Sequence, residues 1–293
     1  MLPNVVKTAR KSRCLNFSFV VGSAIGVCTI LSAGCITRGS LDIHAYVQEE
    51  VELEEWRFVA VKAPTESVAK IFKGNSVTWQ KAVQEGGFYL GGETNEADDA
   101  GRPDYIKPGQ TLIGASFPGL VITEWSDNPA RSYTDYLFSL EHKPRLIGTV
   151  WAGTHSVFYQ RLANEPGWTV AVRPIWNDHE LQTLFENMPE MLILKYENNF
   201  YHIDRNATAR FRLTESQMER LCELLSSRSR VEDKSIVLRD LDDVLAILTL
   251  SGNTDEAYQV IERVCTTRSK GLLQYRHTLK RSVDTARRSR NTG

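Results

Sequence analysis

The hydrophobic pattern of this chain changes period partway along, and that change limits the fold more than any other feature. From Trp56 to Leu213 the apolar residues come in short runs broken by Gly, Pro and Asn. From Thr214 to Cys265 they recur at helical spacing. Met218, Leu221, Cys222 and Leu225 stand at i, i+3, i+4 and i+7, one stripe of a helix. Thr214 with Gln217 supplies its capping box. Asp240 is expected to open a second helix with Leu241, Val244, Leu245 and Leu248, ended by Gly252. Asn253 with Glu256 opens a third, bearing Ala257, Val260, Ile261, Val264 and Cys265. Strands first and helices afterwards give the α+β class: a mixed or antiparallel sheet body followed by a helical carboxyl-terminal segment.

Within the body, Trp56–Lys62 reads as a strand. Pro64 and Thr65 then open a short helix with Val68, Ile71 and Phe72 on one face, closed by Lys73-Gly74. Residues 91–110 read as a long polar loop. Its Glu93, Asp98, Asp99 and Asp104 lack the ligand spacing of a calcium hand. Thr111–Phe117 and Leu120–Trp125, separated by Pro118-Gly119, read as a hairpin. Asn128-Pro129 opens a helix with Tyr133, Tyr136, Leu137 and Leu140 on one face. Strands are expected at Leu146–Trp151, Ser156–Leu162 and from Trp168. Asn177 with Glu180 caps a helix striped by Leu181, Leu184, Phe185 and Met188. A hairpin across Asn198-Asn199 and a strand at Ala209–Leu213 complete the body. Val59–Lys62 and Val170–Arg173 echo each other, and each precedes a helix in this reading. That suggests a duplicated strand-helix-strand-strand-helix unit, 55–163 and 164–213, with a groove between halves as a place for ligands.

The amino terminus has the character of an address. Lys7, Arg10, Lys11 and Arg13 precede an uncharged apolar run, Phe17–Leu31, and then Ser32-Ala33-Gly34-Cys35. A basic stretch, a short apolar stretch and small residues form the secretory signal pattern. The run is short for a bilayer span, which needs about 20 residues. Over its first 36 residues the chain resembles bacterial lipoprotein precursors. The resemblance implies cleavage between Gly34 and Cys35 and a diacylglycerol in thioether linkage on Cys35. Ala33 and Gly34 match the family's small positions; Ser32 stands where the family usually has Leu, with Leu31 one step early. Ile36, rather than Asp, after the cysteine implies the outer membrane. An ordinary secretory cut after Ala33 is the alternative. Each buried methylene adds roughly 0.8 kcal/mol, so several acyl chains anchor stably without a spanning helix. The expected organisation is a signal peptide (1–34), a tether (35–54), a body (55–213), three helices (214–273) and a basic tail (274–293).

A formal charge of -1 argues against bulk nucleic-acid binding, but the balance is uneven. Residues 36–262 carry about -13 and residues 263–293 about +8. An acidic body suits a cationic partner through steering; the polar tail reads as a frayed end. With Cys14 and Cys28 in the signal and Cys35 lipidated, Cys222 and Cys265 remain. In an oxidising compartment they are a candidate disulfide joining the first and third helices, the alternative being two inert buried thiols. None of the six histidines forms a metal-spaced pair, and no metal or cofactor is expected. His202 and Asp204 lie two apart on one strand face and are candidate ligand residues. Gly114–Gly119 lacks nucleophile-elbow spacing, and Pro118 blocks the helix that must follow. With no assembled catalytic set in the sequence, binding ranks first: an envelope lipoprotein holding a protein partner, in concrete form an immunity protein against a cationic toxin. An outer-membrane assembly role ranks second. An envelope hydrolase with a dispersed site around His155, His202 and Asp204 ranks third.

Overall fold

Two residues, Glu54 and Glu55, reverse the chain between β1 (Tyr46–Leu53) and β2 (Trp56–Lys62), which pair antiparallel from Leu53 against Trp56 outward. Gly74 and Asn75 do the same between β3 (Ser67–Lys73) and β4 (Ser76–Val83). Gly74 has a φ of 54°, left-handed backbone that glycine adopts without penalty. The computed structural model describes residues 46–63, 65–97, 103–106, 109, 117–126, 132–141, 143–160, 168–197, 200–203, 211–231, 233–266 and 269–291. The chain divides into two units, with the boundary between Leu90 and Gly91.

The first unit is an antiparallel sheet in the order β1-β2-β3-β4, with β5 (Gly86–Leu90) lying against β2 and β3. Residues 67–73 are thus a strand, not the expected helix. Val68, Ile71 and Phe72 imitate helical spacing because β3 is covered on both faces: every residue from Ser67 to Phe72 is buried. A doubly covered strand loses the polar alternation that marks a half-exposed one. Buried Ser67 donates to the Gly86 carbonyl at 2.9 Å, an acceptor that the Lys62 ammonium shares. The acidic stretch read as tether forms β1 from Tyr46 onward, and Glu49 accepts the Leu90 N–H at 2.7 Å.

The second unit begins with β6 (Glu93–Ala97) and β7 (Pro103–Tyr105), paired strands where a loop is expected. β8 (Gly119–Ser126), β9 (Ser132–Ser139) and β10 (Arg145–Gly153) form an antiparallel sheet with β9 between the other two. Here too a helix is expected and a strand is found. Tyr136–Leu140 are all buried, and β9 is a central strand. β8 pairs with β9; its expected partner, residues 111–116, and the expected cap at Asn128 lie outside the described residues. Residues 67–73 and 132–139, where the first copy of a duplicated unit is expected to place its helices, are both strands.

β11 (Ser156–Gln160), β12 (Thr169–Arg173), β13 (Leu192–Glu197) and β14 (Phe200–Ile203) join β6 and β7 in a sheet ordered β14-β13-β12-β11-β6-β7, antiparallel except for β11 beside β6. α1 (His179–Leu184) connects β12 to β13 and is capped by Asp178, one residue after the expected Asn177. Phe211–Leu213, the described part of the strand expected at 209–213, has no regular structure.

The helical segment comprises α2 (Glu215–Val231), α3 (Lys234–Leu250), α4 (Thr254–Val264), the short α5 (Lys270–Leu273) and α6 (Arg276–Asn291). The Thr214–Gln217 capping box forms, with Thr214 N–H donating to Gln217 Oε1 at 2.9 Å and Gln217 N–H to Thr214 Oγ1 at 3.3 Å. α3 starts six residues before the expected Asp240; Asp233 caps it by accepting the Ser235 N–H. From Asp240 to Leu250 every residue of α3 is buried, as befits a central helix touched by β10, α2, α4 and α6. The tail is α6, not a frayed end. Leu279, Val283 and Ala286, at i, i+4 and i+7, form its buried stripe, and Glu262 of α4 pairs with Arg276 and Lys280. One hydrophobic core runs through the second unit from Ile106 to Ala286.

Candidate functional site

One set of buried polar groups in the second unit gathers where β10 turns into β11. Gly153 makes that turn with a φ of 60°, and the next two residues grip α3. Thr154 donates its N–H to Asp243 Oδ1 at 2.6 Å and its hydroxyl to Asp243 Oδ2 at 2.7 Å, so one residue occupies both oxygens of a buried carboxyl. Burial pushes Asp243 up to about 6, with the Thr154 bonds and the Arg239 charge opposing. Its neighbour Asp242 is driven well above the ordinary carboxylate range by burial first and by the Asp243 charge second, while the Trp151 side chain, bonded to it, pulls the other way.

His155 follows directly and is 1% exposed. Its Nδ1 accepts the Ile175 N–H at 3.0 Å, so Nε2 carries the hydrogen and donates to the Asp243 carbonyl at 3.2 Å. Burial lowers it to about 4, against the pull of the bond to the Asp243 carbonyl, which favours the charged ring. Its edge meets Trp176, which stacks in turn on Phe185. A neutral imidazole with both nitrogens engaged has no free lone pair to act as a base. His155, the first member of the dispersed site expected from sequence, is therefore a joint between strand, loop and helix.

A second network lies on β9. Asp135, 2% exposed, accepts Thr123 Oγ1 on Oδ1 and the Tyr159 hydroxyl on Oδ2, both at 2.7 Å. Burial raises it to about 6 against the pull of those two bonds. A third network centres on Arg228 of α2, which reaches Asp178 at 2.6 Å, Asp240 at 3.1 Å and Glu180 at 3.2 Å. It ties α1 and α3 to α2. Burial would raise Asp178, but the Leu181 N–H and the Arg228 guanidinium outweigh it and hold the carboxyl below its usual range.

The residues singled out from sequence fare differently. Cys222 and Cys265 lie on α2 and directly after α4 and are buried, as their stripes require, but both are free thiols, pushed up to about 11 by burial. The expected bond is replaced by the alternative of two packed thiols. His202 lies on β14 opposite Lys195, while Asp204 lies outside the described residues. Gly34 and Cys35 also lie outside them. Among the described residues no group of three His, Cys, Asp or Glu is placed to hold a metal ion, and no helix is long and apolar enough to cross a membrane.

Sequence reasoning missed Asp135, Thr154, Asp243 and Arg228. Thr154 and Asp243 are 89 residues apart, and nothing local links them. One signal stands in the sequence: Asp242 and Asp243 interrupt an apolar stripe that continues on both sides, and carboxyls at such positions need partners from elsewhere in the fold. No family model, no curated protein and no solved structure matches the chain.

Proposed function

We propose that this chain is a lipid-anchored protein of the bacterial cell envelope, tethered through Cys35 at the outer membrane and facing the periplasm, where it holds a protein partner without catalysis. The observation that carries this reading is the segment from Lys7 to Cys35, four cations, an apolar run and Ser-Ala-Gly-Cys in that order. The partner class follows from charge. About -13 over residues 36–262 favours a cationic protein, and an immunity protein that occludes an envelope-directed toxin is the concrete form. The structure adds support of another kind. His155, Asp135 and Asp243 have their polar atoms committed to holding strands and helices together.

The test is cross-linking of the full-length chain in intact cells, followed by extraction from the envelope. A basic protein cross-linked in wild type and lost in a Cys35→Ala chain that stays soluble is the expected result. A tightly held small molecule with no protein partner would overturn the binding reading.

A further inference from the structure

Thr123 stands between two acceptors. Its Oγ1 is 2.7 Å from Asp135 Oδ1 and 3.1 Å from the carbonyl of Gly91, yet a hydroxyl has one hydrogen to give. Asp135 Oδ2 already takes the Tyr159 hydroxyl at 2.7 Å, so the contest is confined to Oδ1. We infer that Asp135 is a proton-operated latch on the Gly91 carbonyl: protonated, it donates to Thr123 and turns the Thr123 hydrogen to Gly91; ionised, it takes that hydrogen for itself and leaves the carbonyl without it.

The latch acts where the chain enters the second unit. Gly91 and Gly92 are its first two residues. Gly91 N–H donates to the Val121 carbonyl at 2.8 Å, and the Gly92 carbonyl accepts the Ile106 N–H at 2.9 Å. Gly92 also rests on the Tyr159 ring, where a Cβ would fall 1.9 Å from Cε2. The dipeptide therefore touches Thr123 and Tyr159, the two side chains that donate to Asp135. Few charges compete there. Across β9, Asp135 is flanked in register by Thr123 of β8 and the uncharged Val150 of β10. β11 contributes Tyr159. Glu124, beside Thr123, is engaged with the Tyr136 hydroxyl at 2.7 Å. Burial lifts Asp135 to about 6, which brings its titration into an accessible range. The inference is independent of the envelope reading.

Hydrogen exchange of the full chain tests it, read on peptides covering Gly91 and Gly92 from about pH 5 to about pH 8 and divided by the intrinsic amide rate at each pH. Protection should be higher on the acid side by about fivefold, the factor that one net hydrogen bond of ~1 kcal/mol gives. Asp135→Asn copies the protonated acid, since its amide donates to Thr123, and should give high protection at every pH. Thr123→Val should give low protection at every pH, and Thr123→Ser should restore the wild-type profile. A Thr123→Val profile identical to wild type overturns the latch, as does an Asp135→Asn chain that still follows pH. If Asp135→Asn does not fold, the two Thr123 variants decide alone.

Discussion

Gly153 and Asp243 stand so close that no side chain fits between them: a Cβ on residue 153 would lie 2.6 Å from Asp243 Oδ1. The φ of 60° at Gly153 is a second reason for glycine there. Gly153→Ala should therefore destabilise the fold by about 1–3 kcal/mol, through strain and through displacement of the carboxyl that Thr154 grips. Denaturant titration of the variant checks this, and an unchanged midpoint would contradict the role assigned to the turn.

Arg228 compensates Asp178, Asp240 and Glu180 from a position only 11% exposed. Arg228→Ala leaves Asp240, 5% exposed, without that partner and should cost about 3 kcal/mol, as removal of one member of a buried pair does. Arg228→Lys should recover part of the loss, because an ammonium keeps the charge but not the fork that spans two carboxyls. Chemical denaturation of both variants reads the difference.

Asp135 gives the stability curve a defined slope. Its folded value of about 6 lies above the ordinary 3.8, so the folded state binds the proton more tightly than the unfolded state. The stabilisation is complete below 3.8 and is lost as pH rises through 6. Asp135→Asn does not ionise and should gain on wild type over that window by about 3 kcal/mol, since each tenfold difference in proton affinity between the two states is worth roughly 1.4 kcal/mol. Asp243, also raised to about 6, adds a slope of the same sign. His155 opposes both. Its folded value of about 4 lies below the ordinary 6.5, so its contribution is complete above 6.5 and is lost as pH falls through 4. Unfolding free energies of wild type and Asp135→Asn across this range check the sign.

Cys222 and Cys265 should alkylate slowly in the native protein and readily in denaturant. Their thiols are buried and raised to about 11, so little thiolate is present at neutral pH. Mass mapping after alkylation, with and without prior reduction, reads this. A bonded Cys222–Cys265 peptide in the unreduced sample would contradict it.

The fold is legible in the sequence where local chemistry marks an element, and is misleading in strands with both faces covered. Thr214 and Gln217 announce α2 because a capping box is local chemistry, and its stripe is equally plain. Residues 67–73 and 132–139 mislead for a common reason. Val68, Ile71 and Phe72, like Tyr133, Tyr136 and Leu137, fall at helical spacing by coincidence inside strands with long buried runs. Asp240 reads as a cap because Asp favours helix starts, whereas here Arg228 and Arg239 draw it into the middle of α3. In the tail, many cations hide a three-residue apolar stripe. The polar networks are out of reach for a different reason: Thr154 and Asp243, or Asp135 and Tyr159, meet only after strands and helices have packed.

The proposed lipid anchor on Cys35 is tested most directly by the intact mass of the chain extracted from bacterial membranes. The predicted species starts at residue 35 and carries a diacylglycerol in thioether linkage on the Cys35 sulfur. A chain still bearing residues 1–34, unmodified and recovered from the cytosol, would contradict it.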